Sequence, residues 1–358
     1  MSFWKLSPGP HWLSLFPSCK NRQKRAYPYI YRETPVNLPV SSPFYTVELC
    51  MSISYSALCI FLTENFRITQ KSRCMLSEDQ LEKGIRNGWI VVVAYSKKTN
   101  LIVGCIISRP LGTLTHCSDF GKSWQLRSFQ NTGFIDFFCV TELERKKGLG
   151  SHLLLCLDAY SSKKGRQIQF FQKEGLPLIS LPPIWTGRYL SRHVKFKSDK
   201  TIQIVQAKET KETKETKETK ETKESWNLFK GLRQTTLSGH WLGTLPVTRS
   251  DTVLYKKEIE GGTVYAAITD TFHIHIERTN KIGELLWAWF EPTARLDNPL
   301  GLADAIEKII DSSGYSVMLT DNSVPVDSIN WTADAPYSLY AYNFNPQQFF
   351  SLRPWFFF

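Results

Sequence analysis

The stretch IDFFCVTELERKKGLGSHLLLCLDAYSSKKG, residues 135–165, constrains this chain most. FIDFFCV, residues 134–140, reads as a β-strand. After it, Leu149, Leu153, Leu154 and Leu157 fall on one side of a helix. Between the two lies RKKGLG. Gly148 and Gly150 let a backbone approach a ligand closely. The unpaired N–H groups and dipole at the start of the helix favour a phosphate, and Arg145, Lys146 and Lys147 add positive charge. A strand, a basic glycine loop and a helix in this order predict a pyrophosphate site. The same residues also fit a surface loop capping a helix.

Charge supports an anionic ligand. Residues 1–200 hold 28 Lys and Arg against 13 Asp and Glu, a balance of +15, and residues 201–358 hold 16 against 20, a balance of −4. A basic first half beside a slightly acidic second half points to a ligand held mainly by the first. Nucleic acid is not expected, because no zinc-finger spacing or RNP-like signature occurs. At 358 residues, 42% hydrophobic and 13% aromatic, the chain suffices for one large or two ordinary domains. None of its eight cysteines lies beyond Cys156 or forms a CxxC pair, and several sit in apolar runs, so reduced thiols in a reducing compartment are expected. MSFWKLSPGPHW lacks the apolar run of a signal peptide. No run of roughly 18 apolar residues predicts a membrane span, and the chain does not begin Met-Gly. The expected location is the cytoplasm, or the host cytoplasm if the source is a virus.

Other segments read locally. Residues 1–45, with Pro, aromatics and the basic run KNRQKR, form an extended arm. YSALCIFLTENF, residues 55–66, has helical spacing, and Ser77 caps a helix over EDQLEKGI that ends near Gly84 or Gly88. Residues 89–108 form a hairpin around KKTN. The KET repeat, 208–225, has period three and no apolar residue, so it is a solvated linker or loop. Residues 252–277 read as strands around Gly-Gly, 301–314 as a helix stopped by Gly314, and YSVMLTDN and YSLYAYNF as strands. The second half loosely repeats the first, which predicts two related α/β halves around one core.

The loop resembles the acyl-CoA loop of the GNAT acetyltransferase superfamily, Arg/Gln-x-x-Gly-x-Gly/Ala. With its surroundings, IDFFCV then ERKKGLG, it resembles the N-myristoyltransferase segment I-N-F-L-C-V then R-S-K-R-L-A. Further resemblances follow in family order. They are FWK near the start, ALCIFLTENF, LPPIWTGRYLSR (181–192), AITDTF (267–272), the helix at 301–314 with Tyr315, and Tyr342-Asn343-Phe344. They cover most of the chain except roughly 195–250.

The resemblance implies an α/β (α+β) fold of two tandem GNAT-like halves forming one saddle-shaped mixed sheet flanked by helices. It divides the chain into an arm at 1–45 contributing to the acyl-CoA site, an acyl-CoA-binding half at 46–200, the KET linker at 201–226, and a peptide-binding half at 227–358. The implied reaction moves myristoyl from myristoyl-CoA to the amine of an N-terminal glycine, with no metal and no covalent enzyme intermediate. Phe137 and Phe138 carry the backbone oxyanion hole, and the α-carboxylate of Phe358 is the base, its aromatic neighbours anchoring it inside. An exposed, sticky tail, or a frame truncated by chance, is the alternative for that ending. Phe3, Trp4, Arg145, Lys146, Lys147, Gly148, Leu149 and Gly150 bind the donor, and Tyr189 and Asp321 meet the peptide. Asp321 also suits a turn cap. The implied partners are N-terminal-glycine peptides or proteins, with no integral membrane association and a monomeric enzyme.

Departures keep other readings open. RKKGLG is closer to a general GNAT loop, so acetyl-CoA or another acyl-CoA is an alternative donor. RITQKSR (67–73) replaces an acidic family run near the peptide. Ser191 stands where the family has histidine, with His193 two positions later. An inactive relative that binds acyl-CoA or peptide is the third reading. His273 and His275 alternate onto one strand face and suit a half-exposed pair better than a metal site.

Overall fold

The computed structural model describes residues 37–39, 41–67, 72–116, 124–127, 132–176, 183, 185–205, 240–242, 247–249, 251–275, 281–293 and 301–342. The arm residues Phe3 and Trp4, the KET repeat and Phe358 lie outside them. Two compact units form. The first comprises Met1–Pro110, Gln130–Thr186 and Pro336–Phe358, and the second Leu111–Phe129 and Gly187–Ala335.

In the first unit the strands are β1 (Tyr45–Leu49), β2 (Ser72–Cys74), β3 (Ile90–Ser96), β4 (Ile102–His116, in this unit to Pro110), β6 (Thr132–Val140) and β7 (Ile168–Glu174). Strand β5 (Trp124–Arg127) pairs with the later part of β4 in the second unit. The first unit's order is β1-β3-β4-β6-β7-β16, the last being Thr332–Tyr342, which pairs with β7 from Tyr337 onward. Helix α1 covers Tyr55–Asn65, α2 Glu78–Arg86 and α3 Leu149–Lys163. Helix α2 begins as its sequence predicts. Ser77 accepts from the Gln80 N–H, and the Gln80 side chain returns the bond to the Ser77 N–H. Leu149, Leu153, Leu154 and Leu157 of α3 are all buried and pack with Ile90, Val92, Ile106 and Tyr340.

The second unit adds β8 (Trp185–His193), β9 (Gln203–Ile204), β10 (His240–Leu242), β11 (Val247–Arg249), β12 (Val253–Ile259), β13 (Gly262–His275), β14 (Lys281–Pro292), β15 (Val317–Asp321) and helix α4 (Leu302–Ser312). Its strand order is β8-β15-β14-β13-β12-β9. The core gathers Ile306, Ile309 and Ile310 of α4 over Val264, Leu285, Phe290 and Met318.

Each unit contains a parallel β-α-β crossover, β6-α3-β7 in the first and β14-α4-β15 in the second. Each crossover helix starts after a glycine in the left-handed region, Gly148 or Gly301, both at φ 86°. The fold is the expected α/β class, with mixed sheets and few helices. Strand β14 is a finding beyond the sequence reading. KIGELLWAWFEP is buried along most of its length, so it lacks the alternation that marks a half-exposed strand.

His273 departs from the half-exposed strand pair. It is buried, with Nδ1 2.7 Å from Thr271 O, beside a register shift in β13. Phe272 there has φ 55°, and the irregularity breaks the simple alternation of HIHIE.

Candidate functional site

Strand β6 is antiparallel to β4 and parallel to β7. Its pairing with β4 skips. Cys105 faces Cys139 and Ile107 faces Asp136, so Phe137 and Phe138 together oppose Ile106. This is a β-bulge, which interrupts the ladder and re-aims the chain. Phe137 takes φ 47°, rare for a bulky residue. The pairing with β7 runs only from Thr132 opposite Ile168 to Ile135 opposite Phe171. The bulge therefore begins where the parallel pair ends.

An ion pair between a buried arginine and a partly buried aspartate sits beside the bulge. Arg109 of β4 donates from Nη2 to Asp136 Oδ2. Its guanidinium lies 5.6 Å from the ring centres of both Trp89 and Phe137. Asp136 Oδ1 accepts the Phe137 N–H at 3.0 Å. One of the two N–H groups assigned to the oxyanion hole is thus engaged by the preceding side chain. Sequence reasoning missed this pair. The signal was there: Arg109 in IISRP and Asp136 in FIDFF are lone charges in apolar strands, and buried charges need partners.

Cys105 and Cys139 flank the bulge. The Cys105 thiol donates to Phe137 O at 3.3 Å, and the Cys139 thiol to Asn65 O at 3.2 Å. Burial pushes the Cys139 thiol up to about 11 and Cys105 well above its ordinary value. Both stay protonated at neutral pH and are poor nucleophiles.

Beyond Val140 a single 3-10 turn, Glu142–Glu144, leads into the basic loop. Lys146 has φ 64° and Gly148 φ 86°. A Cβ on Gly148 would meet nothing within 4 Å, so this glycine is needed for its backbone conformation and faces open space. The first hydrogen bond of α3 runs from the His152 N–H to Gly148 O at 3.1 Å. The N–H groups of Leu149, Gly150 and Ser151 precede that ladder at the positive end of the helix. The Leu149 side chain is buried in the core, so only its backbone can serve a ligand. A Cβ on Gly150 would come 3.2 Å from Phe138 Cζ, placing the half-exposed Phe138 ring against the helix start.

The cations differ in how they are held. Arg145 Nε donates to Val140 O at 3.2 Å. Lys147 Nζ is 3.3 Å from Glu144 Oε2, and the same oxygen accepts the Tyr45 hydroxyl at 2.5 Å. Burial, then Glu144, push the Tyr45 phenol up to about 12. The Tyr45 bond holds Glu144 below the usual carboxylate range. Tyr45 thereby moors the loop to β1. Burial pushes His152, in the first turn of α3, below its ordinary value, which favours the neutral imidazole.

Bulge, loop and helix start are all parts of the first unit, and the structure gathers Phe137, Phe138 and residues 145–150 at the end of one strand. Tyr189 and Asp321 lie in the second unit, directly opposite each other on β8 and β15. Asp321 Oδ1 accepts the Ser323 N–H at 2.8 Å, the turn-capping role its sequence allows. Among the described residues no group of three or more His, Cys, Asp or Glu is arranged to hold a metal ion. No helix among them is long and apolar enough to cross a membrane.

No family model matches the chain, and no curated protein matches it. Solved structures do. The chain is similar to Saccharomyces cerevisiae N-myristoyltransferase with bound myristoyl-CoA, at 11% identity and a TM-score of 0.53 over 96% of this chain and 92% of that one. A second structure of the same yeast protein, with myristoyl-CoA and inhibitors, gives 13% identity and a TM-score of 0.56 over 96% and 89%. At this identity the likeness is one of fold.

Proposed function

We propose that the protein is an N-acyltransferase that moves a long acyl chain, myristoyl first, from acyl-CoA to the amine of an N-terminal glycine. The observation that carries this reading is the bulge at Phe137–Phe138 leading into a glycine loop at the start of α3. That arrangement suits a thioester beside the bulge and a pyrophosphate at the helix N-terminus.

The amine must first lose a proton, because an α-amino group titrates near roughly 7.7–8.0. The Phe358 α-carboxylate is assigned as acceptor on the sequence resemblance alone. The nitrogen then attacks the thioester carbon, and the backbone N–H groups of Phe137 and Phe138 are assigned to stabilise charge on the oxygen, which requires Asp136 to give up the Phe137 N–H. The C–S bond breaks as the amide forms, and CoA leaves as the thiol with the amine's second proton. Phe3, Trp4, Arg145, Lys146, Lys147, Gly148, Leu149 and Gly150 are assigned to the donor, and Tyr189 and Asp321 to the peptide.

A second reading, a binding relative without turnover, is favoured by the bond between the Phe137 N–H and Asp136. A mass-spectrometric assay separates the two. The protein is given equal myristoyl-CoA and acetyl-CoA with Gly-starting and Ala-starting peptides. A 14-carbon adduct on Gly peptides alone is the expected result. An acetyl adduct would assign a general acetyltransferase, and bound donor without any adduct would assign the inactive relative.

A further inference from the structure

One end of the first unit's sheet is built from three strand ends. Tyr45 faces Ser96, Tyr95 faces Ile102, and Gly104 faces Val140. The start of β1, the turn between β3 and β4, and the end of β6 therefore share a rim. Backbone bonds tie it together. The Lys97 N–H donates to Phe44 O at 3.0 Å, Ser96 N–H to Leu101 O at 3.0 Å, and Thr141 N–H to Val103 O at 2.9 Å.

Three large apolar side chains project from this rim. Phe44 is 70% exposed, Leu101 66% and Leu143 83%. Exposed Lys97, Lys98, Arg145, Lys146 and Lys147 lie among them, against Glu142 and Glu144, a balance of five minus two, or +3. Glu144 is already engaged by Tyr45 and Lys147. Single exposed apolar residues are ordinary. Three on one rim, interleaved with lysines, are not scattered. They are also far fewer than the roughly 20–30 residues that each side of a stable protein interface supplies. A bilayer asks for less: a few apolar side chains to enter the headgroup region and cations to meet acidic lipids.

We propose that this rim docks on an anionic membrane surface. Phe44, Leu101 and Leu143 enter the headgroup region, and Lys97 and Lys98 face the acidic headgroups. The proposal goes beyond acyl transfer and stands without it. If the acyl-transfer reading also holds, Arg145, Lys146 and Lys147 serve the donor, Lys97 and Lys98 remain for the headgroups, and the donor loop sits beside the bilayer, where long-chain acyl-CoA and an acylated product partition.

The test is sedimentation of the full chain with phosphatidylcholine vesicles, with and without phosphatidylserine, and with no acyl-CoA present. The protein should bind the phosphatidylserine vesicles and bind them less as salt rises. F44S/L101S/L143S should weaken binding about a hundredfold, and K97E/K98E by more than about tenfold. All five side chains are exposed, but Lys97 Nζ donates to Ser42 O at 2.8 Å, so the triple variant and K98E alone are the variants that should melt with the parent. Three results would overturn the proposal: no dependence on phosphatidylserine, parental binding by the triple variant, or a concentration-dependent dimer lost in the triple variant without vesicle binding. Failure of the transfer assay with vesicle binding intact would remove the acyl-transfer reading alone.

Discussion

Arg109 of β4 reaches diagonally across to Asp136 of β6, and Asp136 divides its two oxygens between the Arg109 guanidinium and the Phe137 N–H. The pair thereby locks the backbone of a residue held at φ 47°. Arg109 is 1% exposed, so its removal strands a partly buried carboxylate. Arg109→Met should cost about 3 kcal/mol in urea unfolding. Arg109→Lys should recover only part of this, because the guanidinium fork and its contacts with the Trp89 and Phe137 rings are lost. Equal midpoints for the parent and Arg109→Met would remove the lock.

Gly148 tests the anion site without touching the core. Its φ of 86° strains any L-residue, and no neighbour would clash with a Cβ. Gly148→Ala should lower stability by about 1 kcal/mol. Coenzyme A affinity, read by calorimetry, should fall with it as the loop backbone shifts. Unchanged affinity beside a lower melting temperature would assign the glycine to helix capping alone.

Asp199 carries the clearest pH dependence. Bonds from Lys257 Nζ at 2.7 Å, then from Thr201, hold its carboxyl well below the usual range. The unfolded carboxylate titrates near about 3.9. Below that pH the unfolded chain gains a proton that the folded chain refuses. Stability present above about pH 4 is therefore lost as pH falls toward the folded pKa. Asp199→Asn should lower the melting temperature at pH 7 and flatten its fall below pH 4. Parallel melting curves for parent and variant across that window would sink the assignment.

Glu307 joins three groups in the second unit. It lies 2.5 Å from Arg192 Nη1, accepts from Trp331 Nε1 at 2.7 Å, and accepts the Asp327 N–H at 3.3 Å. Arg192 also bonds Asp311 and lies over the Trp331 ring. Glu307→Ala should cost about 3 kcal/mol and change Trp331 fluorescence. Glu307→Gln, which can still accept from the indole, should cost less. An equal loss in both variants would mean that charge alone holds the cluster.

Much of the first unit was legible because its signals are local. Ser77 and Gln80 stand three residues apart, and the leucines of α3 repeat within a few turns. The basic glycine loop lies between a strand and a helix adjacent to it in the chain. In the second unit β14 was not legible, because burial on both faces erases alternation.

The sequence by itself determined which segments become α2, α3, α4 and the hairpin strands, and where a basic loop meets a helix start. Propensity, capping and periodicity act over a few residues, so a linear chain displays them. Tertiary structure decided the rest. The bulge exists because β4 and β6 pair one residue out of step, and Arg109 meets Asp136 across 27 residues of chain. Glu144 meets Tyr45 across 99. Such partners are chosen by which strands lie side by side and by the cost of burying a charge alone, and neither is written in any short stretch.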